Sequence, residues 1–377
     1  MAASRHDGGS VARRCLLALV VLFALSSAQT SPARAATPEV LFKAPGLFSM
    51  SAGGGRIGWL RLHPQPTCFG YTVWVRDDAT GAVQRVHRCV DGSWAQQPTR
   101  MLGVTPTRVY WEDYFESPGN ETDEGVGRAP ATPGRYWVDG LTLSCGGNGC
   151  TNCGGLGDTL AASDTEGGDL IYATTSWDGD PSNCGGENGG GKVVSGGSVR
   201  RGPPSGPKVV LGTAPGASLL AAANGRFAEL PLVPGGPAEP DIEVRSATDG
   251  SLVSTIHPAG LTTGLAMSRL GVVAEVNASG NNTLRLYDPL TGALIRSVVV
   301  QPTARLVNAS GKRALYTVGG RTIRTLNLES GRTHLIYTTL RHPYDLWLDG
   351  RLVVWHTRPS TVASRTVDVV GIRLTPL

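Results

Sequence analysis

Short apolar runs separated by polar turns recur from residue 40 to the end of the chain, and nothing between 36 and 377 sustains the 3.6-residue period of a helix. Seven of these runs share one shape, following or starting on Arg, Gly or Asp: 56–59 (RIGW), 108–111 (RVYW), 169–172 (DLIY), 226–229 (RFAE), 271–274 (GVVA), 313–316 (RALY) and 351–354 (RLVV). Their starts differ by 52, 61, 57, 45, 42 and 38 residues, so the regular spacing sits late and the early units carry insertions. A second motif alternates with the first: a strand, an acidic or polar turn closed by Gly, and another strand. It stands at 72–81 (TVWVRDDATG), 242–250 (IEVRSATDG), 284–292 (LRLYDPLTG) and 323–331 (IRTLNLESG). Asp or Asn opens such a turn by bonding its own backbone, Gly accepts positive φ at its end, and the flanking strands form a hairpin.

Four strands per roughly 40–45 residues is the signature of a β-propeller blade. The last unit supplies only three strands, at 344–348, 351–356 and 366–374, while residues 40–43 (VLFK) stand alone before the first full unit. They match 334–337 (HLIY), which leads into the seventh unit, so borrowing them would complete that blade and leave no unpaired inner edge. The expected fold is therefore all-β: a seven-bladed β-propeller, with six and eight the neighbouring counts, built of four-stranded antiparallel blades and closed by the N-terminal strand. Two packed β-sandwiches fit the short strands but account for neither the seven-fold count nor the missing strand.

On the Asp-Pro-Leu-Thr-Gly292 turn and its relatives, the chain resembles the broad superfamily of quinoprotein-like, WD40-like and TolB-like propellers. The resemblance implies the fold over the whole mature chain. The Gly-His and Trp-Asp pairs of WD40 units do not stand in register. Quinoprotein repeats place a Trp shortly after the Thr-Gly, where this chain has Leu294, Ile295 and Val298, so no residue inherits the quinone cofactor.

Composition then supplies a compartment. Residues 15–25 (CLLALVVLFAL) follow Arg5, Arg13 and Arg14 and precede Ala33-Arg34-Ala35, which reads as a secretory signal over residues 1–35 with a mature start at Ala36. Eleven apolar residues fall short of the ~20 needed to span a bilayer; an uncleaved anchor is the alternative. The chain is thus expected outside the cytoplasm, secreted or in the cell envelope, with no transmembrane segment after cleavage. The leader carries four Arg and one Asp, so residues 36–377 have 30 basic and 29 acidic groups and give no reason to expect a nucleic-acid partner. Gly (51) and Pro (25) make about a fifth of the chain, in keeping with many turns, and charged residues are only 17%. Six cysteines remain: Cys68, Cys89, Cys145, Cys150, Cys153 and Cys184. They read as three disulfides among 15 connectivities; a four-thiolate zinc site or a Cys150–Cys153 redox pair are the alternatives.

The propeller domain, 36–377, carries insertions at about 112–130 and 145–205. In a propeller the loops leaving the second and fourth strands of each blade converge on one mouth of the channel, where ligands usually bind. The loop after the second strand of blade 2 collects Glu112, Asp113, Glu116, Glu121, Asp123 and Glu124 around Tyr114 and Phe115; in blade 3 it holds Trp177, Asp178 and Asp180. Clustered carboxylates with aromatics suit a cationic ligand, or otherwise form a solvated loop. Asp178 and Asp180 resemble the start of a calcium loop without its glycine and its final Glu, so calcium is the one cation suggested and no cofactor is expected. At blade 7, His342, Tyr344 and Asp345 stand at the start of the first strand and His356 and Arg358 at the end of the second; His342, Asp345 and His356 are the candidates for acid–base or metal chemistry.

No established catalytic motif is present. The chain reads first as an exported, non-catalytic monomer binding a protein, peptide or glycan through Glu112, Asp113, Tyr114, Glu116, Trp177, Tyr344 and Arg358. The second reading is a propeller enzyme, a lyase, hydrolase or quinone-dependent oxidoreductase, working at the channel mouth.

Overall fold

The computed structural model describes residues 37–62, 71–87, 95–116, 122–130, 137–143, 154–156, 160–163, 170–178, 193–202, 209–212, 217–231, 239–358 and 365–377. They form seven antiparallel sheets and no helix. Blade 1 is Leu47–Gly53, Arg56–Leu62, Tyr71–Asp77 and Val83–His87. Blade 2 is Ala95–Val104, Arg108–Glu116, Thr122–Pro130 and Trp137–Leu143. Blade 3 has Leu170–Asp178, Val193–Gly202 and Val209–Gly212, with its inner position shared by Gly154–Leu156 and Leu160–Ser163. Blade 4 is Ala217–Ala223, Arg226–Pro231, Ile242–Ser246 and Leu252–Ile256. Blade 5 is Leu261–Ser268, Gly271–Ala278, Asn281–Tyr287 and Leu294–Val300. Blade 6 is Ala304–Ser310, Arg313–Val318, Thr322–Asn327 and Thr333–Thr338. Blade 7 takes Tyr344–Asp349, Leu352–His356 and Thr366–Arg373 from the C-terminus, and its outer strand, Glu39–Pro45, from the N-terminus, with Val40 opposite Val370 and Pro45 opposite Thr366.

The protein is thus a seven-bladed β-propeller with the expected closing strand. Each inner strand packs against that of the next blade, and blade 7's packs against blade 1's. The apolar side chains explain why. Successive side chains of a strand point to opposite faces, so each blade buries one set against its predecessor and the other against its successor. Among the described residues seven clusters result, each straddling two adjacent blades. At the seam, Ala44, Val354, Val367 and Val369 of blade 7 meet Leu47, Met50, Ile57 and Trp59 of blade 1. Between blades 5 and 6, Val273, Leu284 and Leu286 meet Ala314, Tyr316 and Leu326. Each such large side chain contributes ~1.5–3 kcal/mol of burial, which favours a closed ring over an open one.

The repeated turn has a packing role beyond its local chemistry. In blade 5, Asp288 Oδ1 accepts the N–H groups of Leu290 (2.7 Å) and Thr291 (3.1 Å), and Gly292 sits at φ +71°. A side chain at Gly292 would overlap the carbonyl oxygen of Thr255 in the outer strand of blade 4; Gly250 likewise meets Leu211 of blade 3. In blades 4 and 5 the glycine therefore seats the turn against the preceding blade, whereas Gly81 of blade 1 meets only Arg76 of its own blade.

Two placements differ from the sequence expectation. Glu112, Asp113, Tyr114 and Glu116 are strand, not loop: the second strand of blade 2 runs to Glu116 and the third starts at Thr122, with Glu116 opposite Thr122 and Tyr114 opposite Glu124. The hairpin carries its ladder through the acidic stretch, and residues 122–130 belong to the blade itself. In blade 3, Trp177 and Asp178 end a strand, opposite Gly155 and Gly154.

Candidate functional site

Blade 7 brings three of the sequence-selected residues together. His356 closes its second strand and Tyr344 opens its first, directly opposite; their rings stack at 5.7 Å and 23°. Asp345 follows at φ +44°, a left-handed conformation Asp tolerates, inside an irregularity of register between Tyr344 and Trp347. That turn of the backbone aims its carboxylate back, so that Oδ2 lies 3.1 Å from His356 Nε2 and accepts the backbone N–H of Met50 at 2.6 Å. Trp347 Nε1 donates to the carbonyl of the same Met50 at 3.0 Å. Blade 7 side chains thus hold both backbone polar groups of one residue on the inner strand of blade 1.

The pair is sealed. His356 is fully buried, and its Nδ1 has no hydrogen-bond partner among the described residues. Asp345 Oδ2 serves two groups at once. An Asp–His pair of this geometry suits proton transfer, but only where the free ring nitrogen can meet a substrate. In this arrangement the pair acts as a clasp across the ring seam.

His342 and Arg358 are not part of the clasp. They line a groove of about 500 Å³ between blades 6 and 7, with Arg341, Tyr337, Trp355 and Asp368. The Tyr337 and Trp355 rings stack 6.1 Å apart along its wall, and the His342 ring lies where a side chain at Gly320 would be. Neither Arg341 nor Arg358 has an ion-pair or hydrogen-bond partner for its guanidinium among the described residues. A second, smaller cavity of about 120 Å³ lies among the inner strands of blades 1, 4, 5, 6 and 7, lined by Ala52, Ala223, Met267, Asn308 and Trp347. It carries no charged group among the described residues.

Of the acidic candidates, Glu112 is buried and paired with Arg100 at 3.2 Å across the blade 2 ladder. Asp113, Tyr114, Glu116, Trp177 and Asp178 take strand positions. Asp180 lies outside the described residues, as do Cys68, Cys89, Cys145, Cys150, Cys153 and Cys184. Among the described residues no group of three His, Cys, Asp or Glu side chains is placed to hold a metal, and no helix is long and apolar enough to cross a membrane.

Two carboxylates escaped sequence reasoning. Glu275, almost fully buried, accepts from Leu306 N–H (2.6 Å), Thr263 Oγ1 (2.9 Å), Asn282 Nδ2 (3.2 Å) and Arg305 Nη1 (3.2 Å), tying blade 5 to blade 6. Glu229 in blade 4 meets Arg245 Nε at 2.8 Å while its Oε2 has no partner among the described residues; burial, opposed by Arg245, pushes its carboxyl up to about 6. The available signal was a lone acid inside an apolar strand, as in 271–276 (GVVAEV) and 226–230 (RFAEL).

No protein-family model and no curated protein matches the chain. Solved structures do. The uncharacterized protein lmo1340 from Listeria monocytogenes EGD-e is similar with a TM-score of 0.51 and 8% identity, over 82% of this chain and 89% of that one. An oligogalacturonate lyase in complex with manganese is similar with a TM-score of 0.51 and 11% identity, over 91% and 95%. The propeller domain of the Trilobed protease from Pyrococcus furiosus gives 0.46 and 7%, over 78% and 85%. At these identities the first two likenesses show the fold alone.

Proposed function

We propose that this chain is an exported propeller acting as a non-catalytic binding module, and that it takes a protein, peptide or glycan ligand bearing acidic groups into the groove between blades 6 and 7. The observation that carries the reading is the groove itself: two guanidiniums without partners among the described residues, Arg341 and Arg358, line a concavity walled by Tyr337 and Trp355. Unpaired guanidiniums at a concave surface favour carboxylate, sulfate or phosphate, and aromatic walls add contact area at low entropic cost. The export part of the proposal rests on the basic, apolar and small-residue pattern of residues 1–35 and on six cysteines, read as three disulfides.

Screening the immobilised full chain against peptide and glycan arrays tests the reading. An acidic ligand retained by the wild type and lost by Arg341→Ala/Arg358→Ala, with unchanged thermal unfolding, supports it. Retention of the same ligand by the double variant overturns it.

The second reading, a propeller enzyme, is favoured by the Asp345–His356 pair. The oligogalacturonate lyase among the similar structures illustrates that the fold accommodates catalysis, but fold similarity at this level does not transfer its reaction. Turnover by protein purified from its source, abolished in a folded His356→Gln variant, would replace the binding reading.

A further inference from the structure

We propose, on the reading that the groove between blades 6 and 7 is the binding site, that its ligand is a peptide carrying an apolar side chain next to its acid. Residues 339–343, which join the two blades, are the element that reads it. They present Leu340 and Arg341 in succession on the groove. Leu340 is 93% exposed, the most exposed large apolar side chain among the described residues, and Val40, 52% exposed, lines the same groove. A single exposed aliphatic residue is ordinary; two in one concavity, with Tyr337 and Trp355 in its wall, are surface left for an apolar partner. Sugar hydroxyls set against Leu340 and Val40 would lose water without gaining partners, whereas a peptide's apolar side chain covers them at no such cost. The charge comes from Arg341 and Arg358. The groove's own acids do not consume it, since Asp368 faces Lys43 at 4.0 Å and Glu39 acts on Arg373.

The linker is held in the presenting shape by two contacts with the turn between the second and third strands of blade 6. The first is Thr339, which is buried. Its N–H and its Oγ1 both donate to the carbonyl of Arg321, at 3.0 Å each, and Oγ1 also lies within hydrogen-bond reach of the Arg341 carbonyl. One side chain thus ties both ends of the bend at Leu340 and Arg341 to the neighbouring blade. The second contact is His342, whose ring fills the space that a side chain on Gly320 (φ +68°) would take. Pro343 then restricts His342 to an extended backbone. Leu340 and Arg341 are therefore set before a ligand arrives, and the ordering cost of binding falls on the peptide alone. Thr339 and Gly320 act through Arg341 and are positioning residues.

Fluorescence anisotropy on the full chain tests the proposal with three labelled probes: a short peptide alternating Asp and Leu, one alternating Asp and Ser, and an oligomer of a uronic acid. The Asp-Leu peptide should bind about tenfold or more tighter than the other two. Leu340→Ser should erase that preference and leave the affinity for the Asp-Ser peptide unchanged. Thr339→Val should weaken the Asp-Leu peptide by about tenfold, Thr339→Ser should restore it, and Gly320→Ala should repeat the loss by displacing His342. Thermal unfolding of each variant separates these effects from loss of fold, and Gly320→Ala carries the test where Thr339→Val does not fold. A uronic acid oligomer that binds as tightly as the Asp-Leu peptide overturns the proposal in favour of a glycan, as does a peptide preference that survives Leu340→Ser. In both cases the groove stands as the binding site provided Arg341→Ala/Arg358→Ala abolishes binding. Binding unchanged in folded Thr339→Val and Gly320→Ala overturns the positioning role. Probes that all fail to bind, or that the double Arg variant retains, overturn the groove itself and this proposal with it.

Discussion

Asp345 and Met50 stand 295 positions apart in the chain and are joined by a 2.6 Å hydrogen bond from the Met50 N–H to Asp345 Oδ2. The bond crosses the seam between the last blade and the first, where the ring would open. The closing strand holds the outer side of blade 7, and Asp345 with Trp347 holds the inner side. Closure is thus made twice, by ladder pairing at the rim and by side chains next to the channel.

Breaking the inner hold should cost stability in a way that separates charge from backbone strain. Asp345→Ala removes a charge-assisted bond to a buried N–H and leaves a left-handed residue with no compensation; a loss of roughly 2–4 kcal/mol is expected in urea unfolding. Asp345→Gly loses the same bond but adopts φ +44° freely, so it should recover about 1 kcal/mol of that loss. Equal losses for the two variants would show that the backbone at Asp345 is unstrained.

The blade count and the closing strand were legible because each rests on local patterns: an apolar run after Arg or Gly, and a turn whose Asp288 and Gly292 are close in sequence. The polar links between blades were not legible, because their partners are chosen by ring geometry. Glu275 meets Leu306 N–H only once blade 6 is docked, and nothing near residue 275 names that partner. The acidic stretch of blade 2 reads as a loop from its charge density. In the fold, Glu112 takes the buried position that Leu60 holds in blade 1, and Arg100 across the ladder compensates it. Of the blade 7 candidates, the pairing of Tyr344, Asp345 and His356 follows from their places at facing strand ends. The separation of His342 and Arg358 into a groove does not, because it depends on where blade 6 lies.

Glu229 should give stability a pH dependence near neutrality. Burial raises its carboxyl from 4.5 to about 6, so the folded state binds this proton more tightly than the unfolded state does. Its contribution is fully present below pH ~4.5 and is lost as pH rises through about 6, roughly 2 kcal/mol in all. Glu229→Gln, which cannot ionise, should flatten the unfolding free energy between pH ~4.5 and ~6.5. An unchanged slope would mean that Arg245 neutralises the carboxylate more fully than its single 2.8 Å contact implies.

His87 should act in the opposite direction. Its ring lies buried between Tyr71 and Trp111, with centroids 5.4 Å from each, and burial lowers it to about 4. The neutral form is the one that fits. Stability is therefore fully present above pH ~6.5 and falls as the pH drops toward ~4, by about 3 kcal/mol at most. His87→Phe keeps a stacking ring and removes the titration. The variant should lose less stability between pH ~6.5 and ~4 than the wild type; an identical acid limb would place the sensitivity in other groups.

The turn glycines should divide by what they touch. Gly280 (φ +81°) has open space where a side chain would project, so Gly280→Ala meets only the left-handed backbone penalty of about 1–2 kcal/mol. Gly292 (φ +71°) faces the same penalty and, in addition, the Thr255 carbonyl of the preceding blade. Gly292→Ala must therefore push the turn off blade 4 and strain the Ser254 Oγ–Pro289 carbonyl bond (2.9 Å) beside it. Its cost should exceed that of Gly280→Ala by about 1 kcal/mol or more, with faster amide exchange in Leu252–Ile256 as the local signature. Matching costs and matching exchange would mean that the recurring Gly serves its own turn and leaves the seating of one blade on the next to the apolar clusters.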